Sequence, residues 1–120
     1  MYGDDLRKRL QLFAIRILKL VEKLPNTFAG KVIAGQISRS GTSPGANYRA
    51  ARLGKSTKDF INKLKIVEEE LDETLYWLEI ITIQKMINPE LLEDLMKENQ
   101  ELLAIIISSI KTSRKKLEAQ

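Results

Sequence analysis

Apolar residues recur along the chain at steps of three and four, the spacing that lines one face of an α-helix. Leu6, Leu10, Phe13, Ile17, Leu20 and Leu24 form the first series. Pro25 closes it, since proline has no N–H for the helix ladder, and Asn26 or Thr27 can cap the next element. In the second series Phe28, Val32, Ile33 and Ile37 mark the expected buried side. The character then changes to Ser40-Gly41-Thr42-Ser43-Pro44-Gly45-Ala46, which suits either a loop or a helix kinked at its proline, where a second backbone can come close. Because Ala46, Asn47, Ala50 and Ala51 resume helical spacing, the kinked continuous helix is the expectation.

Gly54 suits a helix C-cap and Ser56 an N-cap. Phe60, Leu64, Val67, Leu71, Leu75 and Leu78 give the seam of a third helix. Asn88-Pro89-Glu90 reads as a helix start, and Leu92, Leu95, Leu102, Leu103, Ile106 and Ile110 follow as the seam of a fourth. That helix ends in Lys111, Arg114, Lys115 and Lys116, which suit the negative end of a helix dipole. No segment alternates with period two for long enough to make a strand. The expected helices cover about 4–24, 27–53, 57–85 and 89–116. Joined by short turns, they predict an all-α, up-down-up-down antiparallel four-helix bundle with a kinked second helix, one domain over residues 1–120. Leu103-Ala104-Ile105-Ile106-Ile107 is apolar nearly all round, which fits either a subunit interface or a wide core face.

Composition narrows the chemistry. With 120 residues the chain can bury one core without a staple. It has no cysteine, which removes disulfides and thiolate chemistry, and no histidine, which removes the commonest general base and metal ligand. Much of enzymology is disfavoured on that ground. The amino terminus carries charge rather than an apolar leader, and the longest apolar run, Leu102 to Ile107, is far shorter than the roughly 20 residues of a membrane span. A soluble cytoplasmic protein without membrane contact is expected.

The net charge of +4 conceals a block structure: +3 over residues 1–30, +7 over 31–65, −9 over 66–101 and +3 over 102–120. The basic block suits a polyanion such as nucleic acid. Equally, basic helix 2 and acidic helix 3 can neutralise each other within a subunit or across an interface. The basic block holds Lys31, Arg39, Arg49, Arg52, Lys55, Lys58, Lys63 and Lys65. Arg49, Arg52, Lys55, Lys58 and Lys63 are the candidate nucleic-acid contacts, with Arg52, Lys55 and Lys58 gathered at the helix 2–helix 3 turn. Few aromatics interleave with them, so binding should be directed at the backbone rather than at bases.

Other motifs carry less. Gly54-Lys55-Ser56 resembles the end of a phosphate-binding loop, but Arg49 stands where the first glycine is needed and no strand precedes it. Glu69, Asp72, Glu73 and Tyr76 share a helix face, yet a bundle metal site needs acids from several helices and Glu-x-x-His pairs, and helix 1 offers only Asp4, Asp5 and Glu22. No metal, cofactor or catalytic residue is assigned. Asn47 reads either as a buried amide that fixes helix register or as a ligand contact. Tyr76 and Trp77 suit a core or an interface. Arg39, Asn47, Glu69, Asp72, Glu73 and Tyr76 are grouped as a structural polar network or interface.

Three runs of residues together resemble a known family: Ser40-Gly41-Thr42-Ser43 with Gly45-Ala46-Asn47-Tyr48-Arg49-Ala50-Ala51, Ser56-x-x-Asp59-Phe60-Ile61-x-Lys63-Leu64, and Glu68-Glu69-Glu70-x-Asp72-Glu73-Thr74-x-Tyr76-Trp77-Leu78-Glu79. They look like the bacterial four helix bundle proteins, also called the ribosomal RNA intervening-sequence protein family, across about residues 6–116. The resemblance implies a four-helix bundle assembled as a homopentameric ring. It extends to the accessory protein of diversity-generating retroelements, a basic pentameric barrel that binds nucleic acid and partners a reverse transcriptase. No enzymatic activity is implied. One departure stands out: where the family usually has Tyr-Arg-Glu-Ala, this chain has Tyr48-Arg49-Ala50-Ala51, which leaves the helix 2 surface more positive.

Overall fold

A computed structural model describes residues 3–119. Four helices follow in order: α1 Asp4–Val21, α2 Phe28–Ala51, α3 Thr57–Ile83 and α4 Pro89–Glu118. The last three begin with side-chain caps. Thr27 accepts from the Gly30 N–H at 3.0 Å, Ser56 from the Asp59 N–H at 3.1 Å, and Asn88 from the Glu90 N–H at 3.1 Å. The helices pack in the cyclic order that short turns between antiparallel neighbours require, giving a body 52 × 23 × 21 Å. Of the four seams, α1–α4 is the sparsest.

The core is the stripe expected from the spacing. Leu10, Phe13 and Ile17 of α1, Ile37 of α2, Leu64, Leu71 and Leu78 of α3, and Leu92, Leu102 and Ile106 of α4 are fully buried. The second helix corrects the expectation at its start. Phe28 is 85 % exposed and Val32 is exposed as well, while Gly30, Ile33 and Ile37 face the core. Phe28 and Val32 belong to a stripe one step round the helix, and spacing alone does not say which stripe turns inward.

The small-residue run is helical throughout, with Pro44 inside an unbroken α2. Its composition follows from close approach to α1. A Cβ added at Gly41 would stand 2.7 Å from Ile17 Cγ1, well inside contact distance, and one at Gly45 would meet the Leu10 backbone at 3.5 Å. Around the proline, Thr42 and Ser43 turn their hydroxyls back to the Ser38 and Arg39 carbonyls, at 2.6 and 2.7 Å. Gly54 is not in the left-handed conformation expected of a capping glycine; a Cβ there would approach the Ala51 carbonyl oxygen to 2.9 Å.

Three buried polar residues cross the seams near mid-bundle. The Thr74 hydroxyl of α3 donates to the Glu70 carbonyl one turn back at 2.8 Å and, its proton so used, accepts from the Ser40 hydroxyl of α2 at 2.9 Å. Asn99 of α4 is satisfied with its amide turned so that Nδ2 donates to the Leu71 carbonyl (3.1 Å) and Oδ1 accepts from the Leu75 N–H (3.3 Å). The apolar run of α4 divides: Leu102 and Ile106 are in the core, while Ile107 reaches solvent. Among the described residues, no helix is long and apolar enough to cross a membrane.

Candidate nucleic-acid interface

Antiparallel packing brings together cations that the sequence holds far apart. The start of α1, the end of α2, the start of α3 and the end of α4 meet at one end of the bundle. Residues 3–10, 46–66 and 106–119 contribute thirteen of the twenty lysines and arginines but only four of the sixteen acids. This end therefore carries +9, and the rest of the molecule −5. Among the described residues, only Arg9 and Arg52 of those thirteen cations form ion pairs.

The expected contacts separate on this geometry. Arg49, Lys55, Lys58 and Lys63 are exposed and have no acidic partner among the described residues. Arg52 is half-buried and its Nη1 donates to Asp4 Oδ1 at 2.8 Å. That guanidinium holds the Asp4 carboxyl below its ordinary pKa, first through the hydrogen bond and then through its charge. Arg52 is thus partly committed to tying α1 to the end of α2. Arg9 is similarly committed: it donates to Glu98 at 2.6 and 3.1 Å, which raises its pKa further and links α1 to α4.

Lys111, Arg114, Lys115 and Lys116 join the same end, as do Arg7 and Lys8. Sequence reasoning assigned the α4 cations to the helix dipole and left them outside the site. The signal was available in the topology, since an antiparallel α4 must end beside the start of α3.

The polar group on α2 and α3 is local. Arg39 pairs with Glu73, and the Trp77 indole N–H also donates to Glu73, at 3.3 Å. Asn47 donates to Glu70 at 2.9 Å, a partner that spacing alone does not name. Glu69 and Asp72 have no ion-pair partner among the described residues. Tyr76 is 55 % exposed and meets Trp77 edge-on at 5.0 Å. Among the described residues Arg39–Glu73 is the one ion pair between α2 and α3, so direct pairing of the two charge blocks within a subunit is confined to that contact. No group of three acids converges as a metal site among those residues.

Large apolar side chains remain exposed on several helices. Leu12, Ile15 and Leu18 lie on the outer side of α1. Phe28 and Val32 of α2 and Tyr76 and Ile83 of α3 lie elsewhere, with α3 diagonal to α1 in the bundle.

No curated protein is similar to the chain. A crystal structure described as a protein with unknown function from the S23 ribosomal protein family, from Bacteroides thetaiotaomicron VPI-5482, is 40 % identical; the alignment covers 88 % of this chain and 98 % of that one, with a TM-score of 0.83. Residues 5–108 match the 23S rRNA-intervening sequence protein family, and the chain belongs to that family.

Proposed function

We propose that this protein is a non-enzymatic assembly protein that binds RNA or DNA through the basic end of its bundle, with little sequence preference. The observation that carries this reading is the convergence of three separated basic segments on one end, with eleven of thirteen cations lacking an acidic partner among the described residues. Cations left uncompensated by the fold gain most from a polyanion, whose condensed counterions they release. The protein also assembles with itself. The exposed apolar side chains of α1 differ from those of α2 and α3, so a contact between the two sets is head-to-tail, and head-to-tail contacts close into rings when the rotation between subunits allows it. Five subunits is the number the family resemblance implies. The same resemblance makes a reverse transcriptase, or another enzyme of nucleic acid, the partner such a ring would serve in the cytoplasm.

Gel retardation with mixed-sequence RNA and DNA at several salt concentrations tests the binding. Lys55→Glu, Lys58→Glu and Lys115→Glu together should weaken it and flatten the salt dependence by roughly 0.7–0.9 for each phosphate no longer neutralised. An unchanged slope in a folded variant would sink the assignment of this surface. Light scattering on a sizing column tests the assembly, and Ile15→Glu with Leu18→Glu should reduce the mass to that of smaller species. A full-size ring from that double variant would exclude the α1 patch as an interface.

The second reading is a protein scaffold that ignores nucleic acid, favoured by the exposed aromatic and aliphatic patch around Tyr76 and Ile83. Assembly without retardation of either nucleic acid would select it.

A further inference from the structure

At the tip of the basic end, the start of α3 and the end of α4 frame a cleft of about 380 Å³ against the α2–α3 turn. Its wall combines three kinds of chemistry. Lys116 and Arg52 supply positive charge, Ser56 and Ser113 supply hydroxyls, and half-buried Phe60 supplies an aromatic ring. The Lys116 ammonium has no ion-pair partner among the described residues. Arg52 uses Nη1 on Asp4, which does not line the cleft, and keeps further N–H donors of its guanidinium fork. Ser56 accepts from the Asp59 N–H, so its own O–H is left to donate.

Cations with hydroxyl donors suit a phosphate, and an adjoining ring suits a base, so the wall matches a nucleotide rather than a bare ion. A cleft at the tip also differs from a groove along the side: a strand that crosses the end can place its terminus there. A terminal phosphate is a monoester and carries about −1.5 to −2 at pH 7, while each internal diester carries only one charge, so a paired cation site favours the terminus. We infer that this cleft receives the phosphorylated terminal nucleotide of a bound single strand, with the phosphate on Lys116, Arg52 and the two hydroxyls and the base against Phe60. This inference rests on the nucleic-acid reading above and adds to it a preference for phosphorylated ends.

Fluorescence anisotropy on the full-length protein tests it. The probes are mixed-sequence single strands of about twelve nucleotides, within the range of site sizes for such binding, with a 5′-phosphate, a 3′-phosphate or hydroxyls at both ends. At least one phosphorylated strand should bind about tenfold more tightly than the hydroxyl strand, as expected for one or two added charge-assisted hydrogen bonds. Lys116→Ala should weaken every strand, as loss of any cation of the basic end does, but should weaken the phosphorylated strand more, so that the ratio between it and the hydroxyl strand falls towards one. Phe60→Leu, which keeps apolar bulk and removes the ring, should weaken the phosphorylated strand selectively. Equal binding of all three strands would overturn the cleft assignment while the backbone reading stands. No binding of any strand would overturn both. A free nucleoside monophosphate that binds as tightly as the phosphorylated strand would make the ligand a mononucleotide and overturn the strand-end assignment.

Discussion

Lys85 adopts φ 53, in the left-handed region where a side chain is strained and glycine is not. It does so to end α3: its N–H reaches the Thr82 carbonyl at 3.1 Å, and the Met86 N–H reaches the Ile81 carbonyl at 3.1 Å, the paired closure of a Schellman turn. Lys85→Gly should therefore raise stability by about 0.5–1 kcal/mol, read as a higher urea midpoint with an unchanged slope. Asp4 gives a pH dependence. Its carboxyl is depressed by Arg52 in the folded state, so the pair stabilises above the ordinary carboxylate pKa. That contribution fades as pH falls through about 4 and below, towards the folded-state value. The difference in unfolding midpoint between the protein and Asp4→Asn should be present at pH 7 and close on acidification; a constant difference would show that the pair acts through packing alone.

Within α2 one substitution should have opposite effects at two sites. Gly35→Ala meets nothing within 4 Å and should gain about 0.5–1 kcal/mol from the higher helix propensity of alanine. Gly41→Ala drives a methyl into buried Ile17 and should cost about 1–3 kcal/mol. Thermal unfolding of the two variants checks both signs. The α2 helix also shows where sequence reading reaches and where it stops. That the helix continues through Pro44 was legible, because Ala46, Asn47, Ala50 and Ala51 resume the helical period. That Gly41 is needed for Ile17 was not, since the two residues meet only once α1 and α2 cross. Phe28 and Val32 were misplaced because two neighbouring stripes of α2 have the same period. Asn99 could have been noticed: it continues the seam of Leu92 and Leu95, and a polar residue there marks a buried amide. Its partners, the α3 backbone at Leu71 and Leu75, depend on a helix register that only the fold supplies.

At the scale of the whole molecule the linear charge blocks are a poor map of the surface. The +7 block of residues 31–65 spreads over most of α2 and the first turns of α3, while the basic end draws on all four helices. Arg49, Lys55, Lys58 and Lys63 were legible as candidate contacts from sequence because they are cations grouped near one turn. Their companions on α4 lie some fifty residues further along and become neighbours through chain reversal alone. A variant that moves charge without changing its sum checks this view. Exchanging Lys115 with exposed Glu93 at the other end of α4 keeps the net charge of +4, yet should weaken nucleic-acid retardation measurably.

A body 52 Å long with +9 at one end and −5 over the rest is an electric dipole aligned with its long axis. Such a molecule experiences a torque in the field of a polyanion before any contact is made, so it approaches basic end first instead of searching all orientations. The advantage lies in the encounter rate. The association rate constant for a nucleic acid should fall steeply with added salt, as screening shortens the range over which the torque acts. A ring of such subunits, all related by rotation about one axis, adds the components of these dipoles along that axis and cancels those across it. Where the long axes share a direction with the ring axis, the assembly has one positive rim and one negative rim.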